Sequence, residues 1–318
     1  MAKKKITPRG VFFKTMPFAW AKLLLGFATV ALSVIIFALL TGIAYLFKSD
    51  YVFLFMCIIW LGATGAVNFI LNHYIGYLVR AGHIAVITEA VKTGNVPDHQ
   101  LGYGMKMVKE RFLTSSVYFV IDRLVTGAVK QLQRAVKKIG GAASFVPGMN
   151  YITNITNLFL SIALGYIDEC CLGYTFLHKT QSAFKSAADG VVVYWKNWKT
   201  LLKDAAITTV IVIVLIVAVT VAAFLVSSMV FVRLLGWNGI VAFLIAVFAA
   251  WAVKKAFIDS YMMVKMMVSY MEVAPSTAFT SDLYNKLCGL SSKFKELFNR
   301  NDGKTPAARS RVRAKKKR

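Results

Sequence analysis

Long uncharged apolar runs alternate along this chain with shorter stretches in which apolar positions recur at helical spacing between lysines and arginines. The first run covers residues 23–47 and the second residues 51–79, with only Lys48, Ser49 and Asp50 between them. Each exceeds the about 20 residues a helix needs to cross the hydrocarbon of a bilayer. So short a link predicts an antiparallel hairpin, whose second arm Arg80 closes. The basic residues before the first run suggest a signal peptide, but a signal's apolar region is only about 7–15 residues long, so an uncleaved first span is expected. A third run, residues 205–232, is rich in Val and Ile yet far too long for a strand. A short turn at Arg233, Gly236 and Asn238 then returns the chain into a span over residues 240–271, with Lys254 and Lys255 at a boundary. Residues 142–167 are also uncharged, hold Pro147, Asn150, Asn154 and Asn157, and end at Asp168 and Glu169. A span over residues 150–177 and a re-entrant hairpin with the preceding helix both fit, so segment 112–177 decides between four and six crossings.

The intervening stretches predict amphipathic helices. Over residues 112–139, Val117, Ile121, Leu124, Ala128, Leu132, Ala135 and Ile139 form one stripe, and Arg123, Lys130, Arg134 and Lys137 another. Such a helix can lie in the membrane interface or pack against a partner. Over residues 181–202, Phe184, Ala188, Val191, Trp195, Trp198 and Leu202 step by four and three beside Lys185, Lys196, Lys199 and Lys203. Tryptophan beside lysine marks a membrane–water boundary, so Lys196, Lys199, Trp195 and Trp198 are expected to contact lipid. Leu283, Leu287, Leu290, Phe294 and Leu297 predict a last such helix over residues 281–299, stopped by Asn301-Asp302-Gly303. Residues 81–111, with Gly94, Pro97 and Gly102, read as a connection with short helical pieces. The expected fold is all-α, a polytopic membrane helix bundle with amphipathic interfacial helices. It lies between a basic N-terminus (residues 1–22) and a basic tail (residues 300–318).

Charge adds orientation to this picture. The chain of 318 residues is 58% hydrophobic and carries 38 Lys and Arg against 14 Asp and Glu, a net +24. That excess invites a nucleic-acid partner, but the basic residues sit at the ends and in the gaps between apolar runs. This is the pattern that places loops on the cytoplasmic side. Both termini are therefore expected in the cytoplasm, membrane lipids are expected partners, and nucleic acid is not.

Catalytic chemistry has little support. Cys57, Cys170, Cys171 and Cys288 show no paired spacing, and His73, His83, His99 and His178 none that suits a metal. Phosphate-binding, zinc-protease and nucleophile-elbow motifs are absent from the sequence. No enzyme activity, cofactor or metal is expected. Polar groups at membrane depth are the better lead, because each needs a partner. Asn68, Asn72 and His73 fall in the second run. Asn150, Asn154 and Asn157 share one helix face, where helix–helix hydrogen bonding is the simpler use. Asp168 and Asp259 are more telling because burying a carboxylate is costly, and Lys255 stands four residues before Asp259, in reach of a pair. Trp251, Tyr261, Tyr166 and Tyr174 could present aromatic faces to a quaternary amine.

The order of pieces in residues 105–275 resembles the C-terminal half of the choline transporter-like family. A helix runs into YIDECCLGY (166–174), followed by the small-residue segment QSAFKSAADG (181–190) and by YWKNWKTLL (194–202). Two long spans come next, and a final helix reads AFIDSYMMV (256–264). Members of that family carry a further N-terminal membrane half and a large extracellular loop, which have no counterpart in the three-residue link here. The resemblance implies transport of choline or a related small organic cation, with a second copy needed to enclose a path. On that reading Asp259, Trp251, Tyr261, Tyr166, Asp168 and Asn154 are the candidate substrate-binding residues. The alternative is a scaffold whose amphipathic helices and basic tail hold anionic lipid or a partner.

Overall fold

The computed structural model describes residues 7–112, 115–140, 165–234, 236 and 239–301, and every regular element among them is helical. A short α1 (Pro8–Lys14), capped by Thr7, leads into α2 (Met16–Phe47). Lys48 ends α2 in the left-handed conformation (φ 46°), and α3 (Asp50–Asn68) starts with Asp50 in its first turn, where a carboxylate suits the helix dipole. The expected hairpin is thus formed, and Trp60 Nε1 ties its arms by donating to the Ser33 carbonyl at 3.0 Å.

The second arm does not stop at Arg80. It passes through a π-helical stretch, Phe69–Ile75, into α4 (Gly76–Thr93), and Gly94 (φ 89°) supplies the left-handed cap that ends it. The helix continues past the charge because Arg80 finds two carboxylates there. After the turn, α5 (Gln100–Phe112) and α6 (Ser115–Gly140) meet at an angle of 84° between Gln100–Phe112 and Val117–Ala135. Gly102, expected to break the chain, lies inside α5.

Of the segment expected to span over residues 150–177, residues 150–164 lie outside the described residues. The rest forms α7 (Ile167–Leu177), the innermost helix, with Ile167 and the stretch from Glu169 to Phe176 buried. The stretch over residues 181–202 and the run over residues 205–232 belong to one uninterrupted helix of 45 residues, α8 (Ala183–Ser227), followed by the π-helical Ser228–Leu234. Then come α9 (Gly239–Val253), a π-helical turn Lys254–Ile258, and α10 (Asp259–Val273). The expected single helix over residues 281–299 is two, α11 (Ser281–Leu290) and α12 (Ser292–Asn301). Ser291 breaks it in extended conformation. Its Oγ accepts from Phe294 N at 3.0 Å, and its hydroxyl donates to Gln131 Oε1 at 2.6 Å.

Two regions result. One is a packed bundle of α1, α4–α7, the first half of α8 and α10–α12, with a continuous core that includes Tyr118, Ile121, Leu172, Val192, Met267, Tyr270, Phe294 and Leu297. The other is a pair of apolar hairpins, α2 with α3 and the second half of α8 with α9, whose side chains stand largely open. Three helices are long and apolar enough to cross a membrane: Met16–Phe47, Asp50–Thr93 and Val210–Leu234. In their most apolar windows only 6%, 0% and 11% of residues are buried by the rest of the described chain, so large apolar surfaces stand open there. The bent pair α5 and α6 would make a fourth if counted as one broken span.

The apolar stripes of the amphipathic helices have a cover already. Ile121, Leu124, Ala128 and Leu132 of α6, Ala188 and Val191 of α8, and Leu287, Phe294 and Leu297 all lie in the bundle core. Trp195 and Trp198 are half-buried against it, while Lys196 and Lys199 are exposed.

Candidate functional site

Where the hairpins join the bundle, sparse charged residues converge on a cavity of about 440 Å³. Its wall draws on α2 (Lys22), the π-helical Phe69–Ile75 (Asn72, His73), α4 (Tyr77, Arg80) and α6 (Phe119, Asp122). Tyr166 and Glu169 at the start of α7, Lys255, and Asp259 of α10 complete it. Two of the three π-helical turns among the described residues thus face this space. Such turns recur at functional positions because the extra residue re-aims side chains.

Arg80 is the organising cation. Its guanidinium donates to Glu169 Oε1 at 3.2 Å and to Asp122 at 3.5 Å, and it lies 5.3 Å above the Tyr77 ring. Both carboxylates are buried, which the pairing makes tolerable. Glu169 Oε2, by contrast, is buried with no hydrogen-bond donor among the described residues. Tyr77 donates to the Tyr118 carbonyl at 3.2 Å, and the Arg123 guanidinium lies 5.6 Å above the Phe119 ring.

Also lining the cavity, Tyr166 Oη donates to Asp259 Oδ1 at 2.8 Å. Lys254 Nζ reaches the same carboxylate at 2.8 and 3.0 Å. The expected partner was Lys255. The correction has a geometric cause: residues 254–258 wind as a π-helix, whose i→i+5 repeat brings the residue five back over Asp259. Lys255 lies 4.9 Å from the Trp251 ring.

Lys22 lines the same cavity. Its ammonium donates to Ser260 Oγ at 2.9 Å and to His83 Nδ1 at 3.4 Å. An ammonium has no lone pair to offer, so His83 accepts at Nδ1 and carries its proton on Nε2, which donates to Thr15 Oγ1 at 3.0 Å. The ring is fixed further by stacking on Phe18 at 4.7 Å.

The structure therefore brings Tyr166 and Asp259 together in the cavity, as two of the six candidate substrate-binding residues. Asp168 accepts from Thr126 Oγ1 at 2.8 Å. Tyr261 packs edge-on to Phe12 at 5.4 Å, and Trp251 lines a neighbouring cavity. Asn154 lies outside the described residues. Lys196, Lys199, Trp195 and Trp198 sit on α8 away from the cavity. Asn72 makes one helix–helix bond, donating to Thr29 Oγ1 at 3.0 Å, and one along its own helix, to Asn68 Oδ1 at 2.8 Å.

Sequence reasoning passed over Lys22, Arg80 and Asp122 as site residues. Asp122 carried a signal: it falls beside Ile121 and between Tyr118 and Val125, on the stripe that goes into the core, where a carboxylate demands a partner. Among the described residues no group of three or more His, Cys, Asp or Glu is arranged to hold a metal ion. Comparison of the chain with protein-family models, with curated proteins and with solved structures gives no match in any of the three.

Proposed function

We propose that this chain is a multi-pass membrane transport protein. Its bundle and both basic ends lie on the cytoplasmic side, and it takes choline or a related small organic cation into the cavity beneath the two hairpins. The observation that carries the reading is Glu169, which lines the cavity and whose buried Oε2 has no hydrogen-bond donor among the described residues. A buried carboxylate is costly unless positive charge lies near it, and an organic cation brings that charge without needing a hydrogen bond. Tyr77, Phe119 and Tyr166 supply aromatic faces beside it. Two of these rings already lie under guanidinium groups, as expected of faces that attract cations.

The scaffold alternative needs free amphipathic faces, and the apolar stripes of α6, α8 and α12 are spent on the bundle's own core. A dry junction would also have suited it better than a cavity.

Uptake of labelled choline into proteoliposomes tests the proposal. The wild-type protein is expected to give saturable uptake, and Glu169→Gln to lower it about tenfold, or about 1.4 kcal/mol, through the lost charge–charge attraction. Asp259→Asn should act in the same direction. Uptake equal to that of empty liposomes, or unchanged in both variants, would reject the reading.

A further inference from the structure

A second cavity of about 200 Å³ opens between α2 and α9, and Leu23, Gly26, Val30, Phe248 and Trp251 form its apolar wall. Lys22, Asn72 and Lys255 line both this space and the larger one, so the two meet at that set of residues. Arg80 and Lys254 each hold a carboxylate. Lys22 and Lys255 do not: among the described residues, neither ammonium is within ion-pair distance of an acid. Lys22 rests on the neutral Ser260 and His83, and Lys255 on a tryptophan ring. Two ammonium groups that hold no ion pair at the foot of an apolar hairpin pair can take an anion.

We propose that this junction seats a zwitterionic phospholipid. Its phosphate lies between Lys22 and Lys255, one acyl chain runs along the smaller cavity, and its headgroup amine enters the larger cavity toward Glu169. The inference rests on the reading of the larger cavity as an amine site. Three observations fix the class of occupant. The larger cavity is lined by three acids, Asp122, Glu169 and Asp259, and by three bases, Lys22, Arg80 and Lys255, so a ligand carrying both charges matches it better than a bare cation. The apolar cavity adjoins the cationic pair directly, which a soluble organic phosphate would leave unused. The flanking helices carry open apolar surface, with Leu24 at 65% and Val247 at 44% exposure, which suits an acyl chain. Lys22 and Lys255 each stand where an apolar run meets the bundle, the level at which phosphates of the cytoplasmic leaflet would lie.

Native mass spectrometry of the full-length, delipidated protein tests this. The probes are dioleoylphosphatidylcholine, dioleoylphosphatidylglycerol, dioleoylglycerol, glycerophosphocholine and choline. One phosphatidylcholine is expected to remain bound at least about tenfold more tightly than dioleoylglycerol or glycerophosphocholine, and Lys22→Gln and Lys255→Gln should each remove most of that preference. Lys255→Gln guards against a folding artefact, since the Lys255 ammonium makes no hydrogen bond or ion pair among the described residues and lies only against the Trp251 ring. Equal retention of dioleoylglycerol, equal binding of glycerophosphocholine, a preference for phosphatidylglycerol, or wild-type lipid binding by both variants would each overturn the proposal. If choline fails to bind while the phospholipid behaves as expected, the choline-transport reading falls alone. If choline binds and the phospholipid preference is missing, the phospholipid falls alone.

Discussion

Arg80 shows how one residue changes the meaning of its neighbours. In the sequence it ends an apolar run, and in the structure it holds together α4, α6 and α7 through Asp122 and Glu169. Replacing it by Met would leave two buried carboxylates without a counter-charge. Removal of one member of such a pair costs about 3 kcal/mol or more, so Arg80→Met is expected to lower thermal stability in detergent clearly. Adding Glu169→Gln to it should restore part of the loss, because one uncompensated charge is gone. A double variant no more stable than the single one would show that Arg80 acts through something other than these charges. The same residue explains why the site was only partly legible. Tyr166, Asp168 and Asp259 could be picked out as polar groups in apolar surroundings, but which cation each would meet could not. Arg80 and Glu169 are 89 positions apart, and Tyr166 and Asp259 are 93 apart.

At the scale of elements, helical periodicity was a sound guide to existence and a poorer one to joints. The apolar stripes of α6 and α8 face the core as their spacing implies. Three joints differ from expectation, each for a local reason. Arg80 is neutralised and does not end its helix, the π turn at Lys254–Ile258 shifts the partner of Asp259 by one, and Ser291 caps a helix where continuity was expected. Helix packing makes a further distinction that periodicity does not show. α4 and α5 touch backbone to backbone, and a Cβ on Gly104 would fall 2.7 Å from the Gly82 carbonyl oxygen. Gly104→Ala should therefore destabilise by about 1–3 kcal/mol, the usual cost of overpacking. Gly82→Ala, whose Cβ meets its neighbours at 3.4 Å, should cost less, and Gly102→Ala, with nothing within 4 Å, should be neutral or slightly stabilising. Thermal unfolding of the three variants in one detergent checks the order. Equal values would place α5 elsewhere.

At the scale of the whole molecule, the division into open apolar hairpins and a closed, basic bundle carries the topology proposed above. Lys48 at the tip of the first hairpin and Lys286 on α11 are both exposed, at opposite ends of that division. In proteoliposomes, with Cys57 and Cys288 replaced by Ser, a membrane-impermeant thiol reagent should reach Lys48→Cys from one side only and Lys286→Cys from the other. Labelling of both from the same side would refute the crossing by that hairpin. The sequence alone picked out the apolar helices at residues 23–47, 51–79 and 205–232, because run length against a thickness of about 30 Å is a one-dimensional property, whereas the span expected over residues 240–271 is divided among α9, a π-helical turn and the buried α10. The tertiary structure alone decided what the charges do. An ion pair depends on distances between elements far apart in the chain, and only folding set Glu169 and Asp259 around one cavity, with Lys22 and Lys255 left outside any ion pair.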